Sequence, residues 1–123
     1  RLGVSEESIL VVQGNLASTY HMLGGIEEAL RVRREVYSAR LKLNGEEHED
    51  TLAAAYNYAT SLIELKRFEE AKSLLHKMVS VARRVLGESD ITMLRMRKLY
   101  AGSIYEDPVA TLDDLREAVT SLE

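Results

Sequence analysis

Cysteine and tryptophan are absent from this chain, and proline and phenylalanine each occur once. Without cysteine there can be no disulfide framework, no thiol nucleophile and no thiolate metal site. A near absence of proline removes the strongest helix breaker, while Ala, Leu, Glu, Arg and Lys, all good helix formers, are abundant. No apolar run approaches the ~20 residues needed to cross a bilayer, so membrane insertion is not expected. A broad basic surface is missing too. Sixteen Lys and Arg stand against 20 Asp and Glu, a formal net charge of -4, and nucleic acid is therefore not expected as a partner. Freedom from cysteine is compatible with a reducing compartment, and an intracellular, cytoplasmic location is the expectation.

What the chain does have is repetition. Gly24-Gly25-Ile26-Glu27-Glu28-Ala29-Leu30 is answered 42 positions on by Lys66-Arg67-Phe68-Glu69-Glu70-Ala71-Lys72, and Asn15-Leu16-Ala17 by Asn57-Tyr58-Ala59. The same distance separates Leu10, Leu52 and Leu94, then Gly3, Gly45 and Gly87, then Ala17, Ala59 and Ala101. A fixed period in this range marks a stacked array of helix pairs.

Within that period, Ala29, Val32, Val36, Ala39 and Leu43 trace one helical apolar stripe, and Ala71, Leu74, Met78, Val81 and Val85 repeat it. Leu112, Leu115, Val119 and Leu122 continue it at a displacement of 41, as if one residue were missing near Glu106-Asp107-Pro108. Pro108 is expected in or beside the first turn of that last helix, where proline is tolerated. The first helices of the pairs also agree. Leu10, Leu16, Ala17 and Tyr20 correspond to Leu52, Tyr58, Ala59 and Leu62, then to Leu94, Tyr100, Ala101 and Ile104. The small central alanine is expected to let the paired helix approach closely. Ser5 and Ser89-Asp90 are expected to start helices by accepting amide protons, and Gly45 and Gly87 to close them as left-handed C-caps. The pattern predicts helices at about 6–23, 26–43, 48–65, 68–86, 90–106 and 109–122, consecutive ones antiparallel.

The helix-turn-helix unit, Asn15-Leu16-Ala17, the turn glycine Gly24 and the Glu-Glu-Ala start of the second helix resemble tetratricopeptide repeats. The period of 42, against a commoner ~34, narrows the resemblance. Leu43-Asn44-Gly45-Glu46-Glu47-His48-Glu49-Asp50-Thr51-Leu52 is similar to the Leu-Gly-x-x-His-Pro-x-Thr-Leu boundary of the kinesin light chain type. Glu49 departs from that pattern, Asp90 takes the histidine's place at the next boundary, and the last repeat lacks Glu-Glu-Ala. The resemblance implies an all-α, right-handed helical-repeat solenoid of antiparallel helix pairs, with about three tetratricopeptide-like repeats and six helices. One array is expected over 1–123, with repeats at about 5–45, 46–88 and 89–123. Arg1-Leu2-Gly3 reads as the tail of a previous repeat, so a piece of a longer polypeptide is expected. The resemblance further implies that His48 braces a turn between repeats.

Little supports catalysis, and no enzyme activity, catalytic residue, metal site or cofactor is expected. His21, His48 and His76 lie on three different elements, and none has a second ligand at the i, i+4 spacing of a helical metal site. His76 is expected on the solvent side. No Gly-x-Ser-x-Gly elbow, phosphate-cradling glycine loop or His-Glu-x-x-His occurs. The carboxylate pairs Glu27-Glu28, Glu69-Glu70 and Asp113-Asp114 sit in first helical turns, where they favour the helix dipole. Exposed first turns do not raise a carboxylate's pKa for acid catalysis.

The face about 100° round from Leu10, Ala17 and Tyr20 is more promising. It carries Val11, Gly14, Ser18, His21 and Met22 on the first helix, and Ala53, Tyr56, Thr60, Ile63 and Glu64 on the third. On the fifth it carries Arg95, Lys98, Gly102, Tyr105 and Glu106. In an array of the type resembled, these first helices line the concave side, so the residues are expected to border a groove. Small residues at Gly14, Ser18, Thr60 and Gly102 leave room for a bound segment, and an interior glycine costs roughly 1 kcal/mol against alanine. Close packing with a neighbouring helix is the rival account of Gly14 and Gly102. Arg95 and Lys98, near Tyr56 and Tyr105, suit an acidic peptide with an apolar anchor, or are solvated rim charges. Asn15 and Asn57 could bond a ligand's backbone or that of a neighbouring helix.

Charge is uneven along the chain. Arg83 to Tyr100 holds five basic and two acidic residues, and Ala101 to Glu123 holds one basic and six acidic. The leading expectation is a protein-protein interaction module, part of a scaffold or adaptor, that binds an acidic peptide in a concave groove. The alternative is a structural spacer or docking subunit in a large assembly, without a free peptide ligand. Association through uncapped repeat ends is also expected.

Overall fold

Side-chain caps and turn glycines set several of the helix ends. The computed structural model describes residues 5–122, which form six α-helices and, among the described residues, no strand. They are α1 (Glu6–Met22), α2 (Ile26–Asn44), α3 (Glu49–Glu64), α4 (Phe68–Leu86), α5 (Ile91–Tyr105) and α6 (Leu112–Leu122). The Ser5 hydroxyl accepts from the Ser8 amide, as expected of an N-cap. Asp90 accepts from the amides of Thr92 and Met93. One period earlier, His48 Nδ1 accepts from the Asp50 amide at 3.0 Å. The aspartate that departs from the repeat pattern thus does the histidine's work: each side chain takes the amide two residues on. Gly45 and Gly87 close α2 and α4 with φ of 83° and 86°.

The turns inside the first two helix pairs are copies of each other. Gly25 donates to the Tyr20 carbonyl and Gly24 to that of His21; Arg67 donates to Leu62 and Lys66 to Ile63 in the same pattern. Both are Schellman closures, which need a left-handed residue just past the helix. Gly24 supplies it at φ 86°, whereas Lys66 is forced there at φ 61°. A side chain in that conformation costs roughly 1–2 kcal/mol. Lys66→Gly is therefore expected to stabilise the protein by about 1 kcal/mol, read as a higher urea midpoint at unchanged slope. A lower midpoint would refute the strain.

The last helix departs from expectation. It begins at Leu112 rather than 109, and Pro108 stands outside it. The Ala110 amide bonds the Asp107 carbonyl, and the Val109 amide bonds the Asp107 carboxylate. Asp followed by Pro is favoured at the start of a type I turn, and that local chemistry wins over helix initiation. Thr111 then caps α6 reciprocally: its hydroxyl accepts from the Asp114 amide, and its amide donates to the Asp114 carboxylate. The helix buries a different face from the one expected. Ala118 is its buried residue, while Leu112, Val119 and Leu122, expected to continue the apolar stripe, are exposed at 63%, 46% and 48%. Leu43 and Val85, at the ends of their stripes, are exposed too, as are Leu16 and Leu94.

The chain forms two compact units, the first reaching Ser61 and the second starting at Leu62, so α3 runs through the boundary. In the first unit α1 packs on α2, burying Leu10, Ala17, Ala29, Val32 and Val36. The start of α3 is bonded to α2 through Thr51, whose hydroxyl donates to the Arg40 carbonyl. Tyr58 of α3 meets the Tyr37 ring and lies under the Arg34 guanidinium, which donates to its hydroxyl at 3.1 Å. In the second unit α5 packs against both α4 and α6. Leu75, Met78, Met93, Met96 and Ile104 are fully buried there. Ala17, Ala59 and Ala101 are all buried, as close helix approach requires.

Candidate functional site

The two interior glycines resolve first. A Cβ built on Gly14 or Gly102 would meet nothing within 4 Å. Among the described residues no neighbouring helix packs closely on either glycine, and each borders open space.

In the first unit, Gly14, Ser18 and His21 lie on α1, with Ser18 exposed and the other two half-buried. Tyr56 and Thr60 lie half-buried on α3, and the Thr60 hydroxyl is occupied by the Tyr56 carbonyl at 2.9 Å. Asn15 and Asn57 leave their side chains exposed. It is their carbonyls that bond, Asn15 accepting from Thr19 and Asn57 from Arg33.

In the second unit, Ile63 is half-buried at the end of α3. Arg95, Lys98, Gly102 and Tyr105 follow one another along α5 at steps of three, four and three, which keeps them on one face. Arg95 and Lys98 are exposed, and Tyr105 is exposed by half. The neighbouring basic residue Arg97 is engaged, its Nε donating to the Ser121 carbonyl at 2.6 Å.

Three further polar clusters went unread in the sequence. Arg40 is buried in the first unit, with a guanidinium nitrogen 2.6 Å from Glu7 and 3.6 Å from Asp50. The signal available was its register partner, Ala82, in the apolar core of the second pair. In the second unit, the buried Tyr100 hydroxyl donates to Glu117 Oε1 at 2.5 Å. Burial first, and then the Glu117 carboxylate, pushes that phenol well above its ordinary range. His76 is exposed as expected, yet its ring sits edge-on to Tyr100 and 3.6 Å from Glu117. Lys72 lies 3.6 Å from Asp114. The Thr111 amide and hydroxyl hold the Asp114 carboxyl below its ordinary range against the opposing effect of burial, and Lys72 adds to the lowering. A cavity of about 330 Å³ opens beside Lys72, His76, Tyr100 and Glu117. No group of three or more His, Asp or Glu among the described residues could hold a metal. None of the described helices is long and apolar enough to cross a membrane.

Helix pairs that recur every 42 residues with matching caps and turns define a helical-repeat protein. The family model for the tetratricopeptide repeat matches residues 8–84, and the chain belongs to that family. Repeats of this family generally mediate protein-protein interactions. Two crystal structures of a Podosopora anserina protein described as a kinesin light chain with nearly identical TPR-like repeats share the fold. Each is 21% identical with a TM-score of 0.80, over 98% and 97% of this chain and 56% of theirs. BtubC (BKLC) from P. vanneervenii is 15% identical with a TM-score of 0.81, over 99% of this chain and 47% of its own. The chain thus spans about half the length of the solved structures it resembles. No curated protein matches it significantly.

Proposed function

We propose that this chain is a peptide-binding module of a scaffold or adaptor, taking an acidic segment on the faces of α1, α3 and α5 identified above. Its candidate contacts are Gly14, Ser18, His21, Tyr56, Thr60, Ile63, Arg95, Lys98, Gly102 and Tyr105, within repeats at about 5–45, 46–88 and 89–123. The α5 face carries the reading. Arg95 and Lys98 lie one turn apart, exposed, and neither forms an ion pair or hydrogen bond among the described residues. Beside them Gly102 leaves room and Tyr105 offers a half-exposed ring. Cations without internal partners, next to an aromatic, favour carboxylates flanking an apolar anchor.

The test is calorimetry with a synthetic peptide of several glutamates around one aromatic residue. Lys98→Glu is expected to weaken binding about tenfold, or ~1.4 kcal/mol, with helicity unchanged. Gly102→Ala should gain up to ~1 kcal/mol of stability from helix propensity while lowering affinity, because the added methyl enters the space the peptide would use. Unchanged affinity in both folded variants would overturn the proposal.

A further inference from the structure

Sulfur is placed unevenly in this chain. Of its four methionines, Met78, Met93 and Met96 are wholly buried in the second unit, whereas Met22, the last residue of α1, is 85% exposed. The repeat register shows that this exposure belongs to the position. One and two periods on, the same place holds Glu64 and Glu106, each with a helix pair before it in the chain, and both are exposed. A position that carries charge in two repeats thus carries a thioether in the first. Packing does not account for it, since so exposed a side chain adds almost nothing to the core. Gly14, Ser18 and Met22 follow at steps of four, so the thioether stands on the α1 face to which peptide binding is assigned above.

With no cysteine in the chain, a peroxide meets methionine sulfur as its most reactive target. A sulfur lone pair takes one peroxide oxygen: the S–O bond forms as the O–O bond breaks. Sulfur gives up two electrons, and the hydroxide that leaves takes the proton from the transferred oxygen and departs as water. The product is a sulfoxide, polar and chiral where the thioether was flexible and apolar, and methionine sulfoxide reductases reverse the change. In a core that change disrupts packing. At Met22 the new oxygen meets solvent, so the fold is kept and only the α1 face is altered. The three buried sulfurs are reached only when the second unit opens.

We propose that Met22 is a redox-modification site: hydrogen peroxide converts it to the sulfoxide, which weakens docking of an aromatic side chain on the α1 face, and reduction restores it. The inference rests on the peptide-binding reading. Oxidation removes the contact between the sulfur and the ring, and affinity is expected to fall by about threefold to tenfold.

Peroxide treatment of the whole chain tests it, followed by tryptic mass mapping and by calorimetry with the glutamate-rich, single-aromatic peptide. Met22 is expected to gain one oxygen about tenfold faster than any buried methionine, with far-UV circular dichroism and the urea midpoint unchanged. Affinity is expected to drop and then recover on incubation with a sulfoxide reductase. Met22→Leu keeps an apolar side chain without the sulfur, and is expected to bind the peptide and to be indifferent to peroxide. Oxidation spread evenly over the four methionines would overturn the proposal. So would an oxidised chain that binds as tightly as the untreated one, a result that leaves the peptide reading standing. Equal loss of affinity in peroxide-treated Met22→Leu would place the effect on another residue and overturn it too. An untreated chain that binds no such peptide would overturn both.

Discussion

Replacing Arg40 by alanine is expected to destabilise the first unit by about 2–3 kcal/mol, among the largest effects of any single substitution outside the apolar core. Arg40 reaches from α2 to Glu7 near the start of α1 at 2.6 Å and to Asp50 in the first turn of α3 at 3.6 Å. One buried cation therefore pins the beginnings of two helices to the body of a third. Its removal leaves a cavity where the side chain packed and takes away the charge that both carboxylates face. The carboxylates themselves are half exposed, at 51% and 50%, and can recover hydration, which holds the loss below that of a fully buried pair. Arg40→Met keeps much of the volume and discards only the ion pairs, and should retain part of the stability. Urea unfolding of the two variants measures the split. Equal midpoints for Arg40→Ala and the parent chain would show that the cluster contributes nothing.

The second large effect contrasts two residues that the hydrophobic pattern treats as equivalents. Met78→Ala is expected to cost about 2–5 kcal/mol, since Met78 is fully buried and its truncation opens a cavity in the core around α4. Val119→Ala, one displaced register later, is expected to cost no more than about 0.5 kcal/mol, because Val119 is nearly half exposed. Paired denaturation curves test both. A large loss at Val119 would mean that α6 buries the face predicted from its spacing and not the one centred on Ala118.

That contrast also shows what the residues could and could not disclose. The repeat distance placed the first five helices, because the first two pairs carry the same apolar stripe and the same closing turn and the fifth helix repeats the first and third. Five of the six starts lie within one residue of expectation. The sixth fails because periodicity registers only apolar spacing, while an Asp107-Pro108 turn and a reciprocal Thr111–Asp114 cap set where the helix begins. Glycine was ambiguous for a similar reason. A missing side chain marks either tight contact or empty space, and only coordinates distinguish them. The polar clusters at Arg40 and at Tyr100–Glu117 join residues 33 and 17 positions apart. Such pairings are set by how helices meet, which no local window records. The charge stripe on α5 was legible as composition, and its lack of internal partners became evident from the fold.

The lysine at the second Schellman turn has a consequence for how the molecule opens. The two hairpin corners carry the same hydrogen bonds, so in a rigid picture their amides should exchange with solvent at equal rates. A residue held against its conformational preference lowers the cost of a local excursion by the strain it releases, here about 1–2 kcal/mol. Deuterium should accordingly enter at the Lys66–Arg67 corner some tenfold faster than at Gly24–Gly25, making that corner the site where the helices first part.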